Sequence, residues 1–244
     1  MRDPVELFGP RALRLVEAEI PSLPPEVRAG MDRTWDEAVR AKPALFDGPA
    51  VACVGLEREE DTLLLRWARV SYRYRALRRV PGAPWLPASV FVTVLQPTQD
   101  GALVVGRPSG WTAEPGRWTL PGGGAEPPAD GAELGVPGLR GHAARELFEE
   151  TGIKVVPDDL NLFAVSRGRH GSIGVHFLAP RLPEQLVLDH HARLCEAEIS
   201  AGGEPELDRL ATVGSEAETV ALGRVFDYLP PLVARFTALE ADSA

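Results

Sequence analysis

Three glutamates, Glu146, Glu149 and Glu150, follow Arg145 in the run Arg145-Glu146-Leu147-Phe148-Glu149-Glu150-Thr151-Gly152-Ile153. On a helix, steps of three and four residues set their carboxylates on neighbouring positions of one face. Like charges at that spacing repel by ~0.2–0.5 kcal/mol per pair, so the cluster makes chemical sense if a divalent cation neutralises it. Hard oxygen ligands favour magnesium, with manganese as the other candidate, over zinc or copper. Arg145 could hold one carboxylate in place through forked hydrogen bonds. The plainer alternative is a solvated acidic face. Upstream, Trp118-Thr119-Leu120-Pro121-Gly122-Gly123-Gly124 is a loop whose glycines let backbone approach an ion or phosphate closely. It is not a P-loop, because no Gly-Lys-Ser/Thr follows.

These groups need elements to position them. The spacing of Ala143, Ala144, Leu147 and Phe148 predicts a helix from about Arg140 to Thr151, with Gly152 as its stop. Residues 118–138 read as a glycine- and proline-rich loop. Ser89–Leu95 and Ala102–Arg107, joined by the turn-forming Pro97-Thr98-Gln99-Asp100-Gly101, read as a hairpin. Further strands are expected near 50–56, 62–72, 153–156, 161–167, 172–179 and 207–213. Helices are expected over 11–20, 31–41 and 183–199, with a closing helix after Pro231. The result is a mixed α/β protein. Pro81, Pro84 and Pro87 form a rigid stretch that divides an N-terminal α/β region, residues 1–86, from a main domain, residues 87–244.

Composition narrows the partners. The 26 Lys+Arg against 35 Asp+Glu give a net charge of -9, which argues against nucleic acid as the main partner but not against a small phosphorylated ligand. Two cysteines, Cys53 and Cys195, are too few for a disulfide framework, and a reducing cytoplasm is expected. No stretch approaches the ~20 apolar residues that span a bilayer, and charge and proline interrupt the N-terminal Met1–Phe8 before a signal-like run forms. His191 and Cys195, four apart in a predicted helix, lack a third ligand for a metal.

The glycine loop and acidic helix together resemble the Nudix hydrolase signature, G-x5-E-x7-R-E-U-x-E-E-x-G-U, where U is aliphatic. Residues 145–153 match its second half at every specified position. Between Gly123 and Arg145 there are eight more residues than the pattern has, so the signature's first Glu is displaced, and either Glu126 or Glu133 takes its structural place or none does. The resemblance implies the Nudix fold, a mixed β-sheet sandwiched between helices. It also implies that Glu146, Glu149, Glu150 and the carbonyl of Gly123 bind the metal, that one glutamate activates water, and that Arg145 orients the carboxylates. A further carboxylate is expected from a late loop; Glu206, just before the strand at 207–213, is the choice, and Glu204 the second.

Residues 1–86 carry Trp35, Lys42-Pro43, Leu45-Phe46-Asp47-Gly48-Pro49, Leu63-Leu64-Leu65-Arg66 and Ser71-Tyr72-Arg73. With Pro121-Gly122-Gly123-Gly124-Ala125-Glu126-Pro127 and the lengthened loop, this order resembles the UDP-glucose and UDP-galactose pyrophosphatase branch of the superfamily. Six arginines, and no acids, lie between Arg66 and Arg79, with Tyr72 and Tyr74 among them. Arg73 and Tyr74, with Arg107 from a strand end, are candidates for phosphate pairing and base stacking; the alternative is a surface strand paired with acids elsewhere. The function expected is magnesium-dependent hydrolysis of the pyrophosphate linkage of a nucleoside diphosphate joined to another group, preferably a UDP-sugar giving UMP and sugar 1-phosphate. ADP-ribose, dinucleotides or oxidised nucleoside triphosphates are alternative substrates. A weakly catalytic nucleotide sensor is the alternative of a different class, disfavoured by the intact acidic triplet. The partner is a small nucleotide; the oligomeric state is open.

Overall fold

The computed structural model describes residues 5–43 and 45–242. Part of the charge- and proline-interrupted N-terminal octapeptide, residues 1–4, lies outside the described residues. The main sheet has seven strands in the order β1-β7-β8-β5-β3-β4-β2. They are β1 (Glu6–Phe8), β2 (Ala12–Glu17), β3 (Pro49–Glu59), β4 (Thr62–Ser71), β5 (Ala88–Leu95), β7 (Asn161–Arg167) and β8 (Ile173–Leu178). The β2/β4 and β5/β8 pairs are parallel and the others antiparallel. A second sheet pairs β6 (Leu103–Pro108) with β9 (Leu207–Val213). Five α-helices complete the described chain: α1 (Pro25–Ala41), α2 (Val136–Thr151), α3 (Glu184–Ser200), α4 (Glu216–Ala221) and α5 (Leu229–Ala241).

The alternation of β5 shows how the layers form. Val90, Val92 and Val94 face one hydrophobic cluster together with Leu139, Ala143 and Leu147 of α2. Phe91 and Leu95 face another, with Leu229, Leu232, Val233 and Phe236 of α5. Successive strand residues point to opposite faces, so the sheet is packed between α2 and α5, as expected of a mixed sheet between helices. A third cluster joins Val27 and Met31 of α1 to Leu77 in the 3-10 helix Tyr72–Arg79.

Several local expectations are corrected. The segment expected as a helix over 11–20 is β2, because Leu13 and Leu15 also satisfy a period of two and pair alongside Leu63 and Leu65. The hairpin exists only as its turn. Thr98 N–H donates to the Ala102 carbonyl at 2.8 Å and Val104 N–H to Gln96 at 3.0 Å. Beyond that turn the strands part, β5 entering the main sheet and β6 pairing with β9. Residues 153–156 are irregular, Ile153 being buried as a core anchor. The arginine-rich 72–79 segment is a 3-10 helix and not the end of a strand. Helix α2 begins at Val136, four residues before the expected start.

Candidate active site

The carboxylates lie on the last turns of α2, which Gly152 ends in a left-handed conformation, φ 74°, with its N–H bonded to the Phe148 carbonyl. Leu139, Ala143 and Leu147 bury one stripe of α2 that Glu150 continues into the interior, while Glu146 lies at its border and Glu149 is exposed. The glycine loop is stitched along β5 like an extra strand: Val94 N–H donates to the Pro121 carbonyl and Val92 N–H to that of Gly123, both at 2.9 Å. At Gly122, φ is 151°, and a Cβ would sit 2.1 Å from the Val92 carbonyl oxygen. Only glycine fits there. In return the Gly122 N–H donates to Oε2 of Glu150 at 2.7 Å. At Gly123 a Cβ would lie 2.3 Å from Oε2 of Glu146, so the missing side chain is what lets that carboxylate lie against the backbone.

The three glutamates of α2 are not equivalent. Glu150 is buried, whereas Glu149 is exposed and only loosely paired with Arg145, at 3.9 Å. Glu146 accepts from His142 Nε2 at 2.7 Å, and His142 Nδ1 receives the Glu126 N–H at 3.5 Å. The neutral tautomer carrying its proton on Nε2 satisfies both contacts. Burial, and then the charges of Glu206, Glu146 and Glu149, push the Glu150 carboxyl well above its usual range against the pull of Gly122. Glu206 is raised by desolvation and by Glu146, Glu149 and Glu198. Both shifts have the sign of carboxylates short of a countercharge.

The donor set therefore suits a hard divalent cation: four carboxylates felt by one another, with a glycine carbonyl beside them. Among the described residues no three His, Cys, Asp or Glu side chains are already gathered as ligands. Glu146 is turned to His142 and Glu150 to Gly122, so binding an ion here requires these side chains to swing.

Glu150, Glu206, Gly122 and Gly123 border a cavity of about 370 Å3, whose walls include Arg75, Arg78, Arg117, Phe226 and Tyr228. The Arg117 guanidinium lies 4.1 Å from the centre of the Phe226 ring, which stacks on Tyr228. Tyr228 bonds the Thr119 hydroxyl, and burial raises its phenol. Behind this wall, Thr93 Oγ1, His176 Nδ1, His176 Nε2 and Ser166 Oγ form a buried chain of contacts at 2.7 and 2.8 Å. Burial lowers His176 to about 3.

Of the residues expected at the site, Gly123, Glu150 and Glu206 border the cavity, Glu146 lies against Gly123 outside that lining, and Glu149 is exposed beside them. Glu204 is not part of the cavity lining. Arg145 reaches Glu126 at 3.4 Å, while Glu133 is exposed with no such contact. The three expected substrate contacts lie outside the cavity lining. Arg73 is engaged by Asp47 at 3.0 Å and Asp32 at 3.2 Å. Tyr74 packs edge-on against Trp85, and Arg107 is forked onto Asp208 at 2.7 and 2.9 Å. Each is already satisfied by the protein itself. His191 Nε2 donates to the Leu207 carbonyl at 2.9 Å, as a core histidine beside Cys195. Arg75 and Arg78 belong to the arginine run that the sequence displays, though Arg73 is the residue chosen from it; His142 and Arg117 carry no comparable signal beyond the four-residue step from His142 to Glu146.

Residues 85–219 match the family model of the NUDIX domain. The chain belongs to the Nudix family. It is a Nudix hydrolase, of a group that acts on nucleoside diphosphate derivatives and generally uses divalent metal ions. Among solved structures it is similar to the MutT protein from Methanosarcina mazei Go1, with 21% identity over 63% of this chain and 95% of that one, TM-score 0.42. It is also similar to the E. coli ORF135 protein, with 21% identity over 64% and 92% of the chains, TM-score 0.41. A third is a bifunctional NMN adenylyltransferase/ADP ribose pyrophosphatase from Francisella tularensis, with 20% identity over 70% of this chain and 46% of that one, TM-score 0.43. No curated protein sequence matches the chain. No helix among the described residues is long and apolar enough to cross a membrane.

Proposed function

We propose that this Nudix hydrolase splits the diphosphate bridge of a UDP-sugar in a magnesium-dependent reaction, giving UMP and sugar 1-phosphate. The observation that carries the class of reaction is the sharing of one cavity by uncompensated carboxylates, Glu150 and Glu206, and an arginine–aromatic wall, Arg117, Phe226 and Tyr228. Its volume of about 370 Å3 falls within the range of small-molecule sites. The choice of UDP-sugar rests on the N-terminal sequence resemblance.

Glu146, Glu149, Glu150, Glu206 and the Gly123 carbonyl would hold the ion, with manganese as a substitute. When bound, the ion offsets phosphate charge and lowers the pKa of water. The chain's own residues do the rest. Gly122 N–H orients Glu150, and His142 orients Glu146. A glutamate of α2 takes the proton from the water that attacks phosphorus, and Arg145 keeps Glu149 and Glu126 aligned at the rim. The N-terminal region, residues 1–86, adds to the substrate cavity through its 3-10 helix, and a cytoplasmic setting suits the free Cys53 and Cys195.

The test is product analysis with and without magnesium on UDP-glucose, UDP-galactose, ADP-ribose, a diadenosine polyphosphate and oxidised dGTP. Metal-dependent release of UMP and hexose 1-phosphate, faster than release from the others, is the expected result. Preferential cleavage of ADP-ribose or a triphosphate would replace the substrate assignment. Tight nucleotide binding without turnover on any compound would replace the enzyme by a sensor.

A further inference from the structure

The six arginines between Arg66 and Arg79 separate into distinct environments. Arg66 is paired with Glu57, Arg69 with Glu17 and Asp130, and Arg73 with Asp32 and Asp47. Arg75 and Arg78 both line the cavity and have no carboxylate at ion-pair distance among the described residues. Arg79 likewise has no carboxylate at ion-pair distance among the described residues, but it lies outside this cavity, so Arg75 and Arg78 are the unpaired arginines of the run that face it.

Both heads are held in place yet keep spare donors. Arg78 Nη2 donates to the carbonyls of Pro87 at 3.2 Å and His170 at 3.3 Å, leaving Nε and Nη1 unused. Arg75 Nη1 donates to the Tyr72 hydroxyl at 2.9 Å, and its guanidinium lies 4.9 Å from the centre of that ring. Each can still present a pair of N–H groups to a planar or tetrahedral anion. Burial and the nearby Arg75 charge also press Arg78 below its ordinary range, the direction expected of cations lacking a counterion.

Their position along β5 says which part of a ligand they meet. Arg78 is anchored at Pro87, just before the strand, and Ser89 lines the cavity beside it. At the other end Gly122 is pressed against Thr93, where Glu150 is held. Four strand residues span ~13 Å, too far for one diphosphate to touch both ends. We propose that Arg75 and Arg78 form a second anion subsite, which selects nucleoside diphosphate derivatives bearing a further carboxylate or phosphate remote from the scissile bridge. This rests on the proposed function for the placement of the bridge at Glu150. Both arginines are exposed, so a neutral group covering them would strip water from two like charges without replacing it, which is costly.

Two matched pairs test it: UDP-glucuronate against UDP-glucose for a carboxylate, and 2′-phospho-ADP-ribose against ADP-ribose for a phosphate. Dissociation constants are measured by calorimetry without added metal, and turnover separately with magnesium. The expected result is that the more anionic member of at least one pair binds about tenfold more tightly or better, a single charge-assisted bidentate contact being worth that much. Arg75→Ala and Arg78→Gln should each reduce that ratio toward one, and Arg75→Lys should recover part of it. Equal affinity within both pairs, or a preference that survives both variants, overturns the subsite. Absence of turnover on every compound, with the affinity ratio intact, would sink the hydrolytic reading while leaving the subsite standing.

Discussion

Replacing Glu150 by Gln separates a carboxylate held for a cation from one held for the fold. The Gln side-chain carbonyl can still accept the Gly122 N–H, now at 2.7 Å, so only the charge assistance of that bond is lost, about 1 kcal/mol. Against this, a buried charge next to Glu206, Glu146 and Glu149 disappears. The helix neighbour at facing spacing, Glu146, alone repels by about 0.2–0.5 kcal/mol at a surface, and more where burial weakens screening, with Glu206 adding to it. Without metal at pH 8, the variant should therefore be as stable as the wild type or up to about 1 kcal/mol more stable, a rise of roughly 2–4 °C for a chain of this size. With magnesium at a hundred times its dissociation constant, the wild type gains about 2.7 kcal/mol, and most of that gain should vanish in the variant. Turnover should fall about 10²- to 10⁴-fold, or roughly 3–5 kcal/mol of transition-state stabilisation. Thermal melts with and without magnesium, alongside product release, measure all three. A metal-free variant melting well below wild type, or one with near-normal turnover, would refute the reasoning, because the charge would then be compensated within the fold.

Glu206→Gln should lower metal-dependent turnover at least tenfold while Glu204→Gln leaves it unchanged; equal loss in both would remove Glu206 from the site. Gly122→Ala should cost about 3 kcal/mol or more, from a Cβ forced against the Val92 carbonyl at φ 151°, and denaturant unfolding that finds the variant as stable as wild type would contradict the loop geometry. His176 is held neutral in the fold at about 3 but ionises near 6.5 when unfolded. Its contribution is therefore fully present above about pH 6.5 and lost as pH falls toward 3, with a slope of about 1.4 kcal/mol per pH unit. Urea titrations of wild type and His176→Gln across that window should differ in slope, and parallel curves would show that the histidine is not the group responsible.

The acidic helix was readable because its chemistry and its register are both local: Leu139, Ala143 and Leu147 bury one stripe of α2, which carries Glu150 inward and leaves Glu146 and Glu149 toward its border and the solvent. Glycine in the loop was readable for the same reason, since a positive φ and a close backbone approach demand it. The partner of β6 was not readable. Leu103 meets Val213 across most of the domain, and no local pattern distinguishes that pairing from a hairpin with β5. The arginine run misled for a related reason. A 3-10 helix turns its residues about every three positions, so neighbours such as Arg73 and Arg75 leave in different directions, one toward Asp32 and Asp47 and one toward the cavity. The sequence displays the cations, but only the tertiary placement of Asp47 and Asp32 shows which of them are occupied.

The short strand β1 pairs with β7 through Glu6–Arg167, Leu7–Ser166 and Phe8–Val165, and β3 touches β5 through Ala52–Ser89 and Cys53–Ala88. Residues from before Pro87 thus cover β7 along one border and the start of β5 in the interior of the main sheet. A shortened chain beginning at Pro87 would present both as unpaired backbone, flat enough to template another molecule. Such a fragment should self-associate through strand-to-strand docking even with its acidic helix intact, so Glu6–Phe8 act as a guard on solubility as well as part of the sheet.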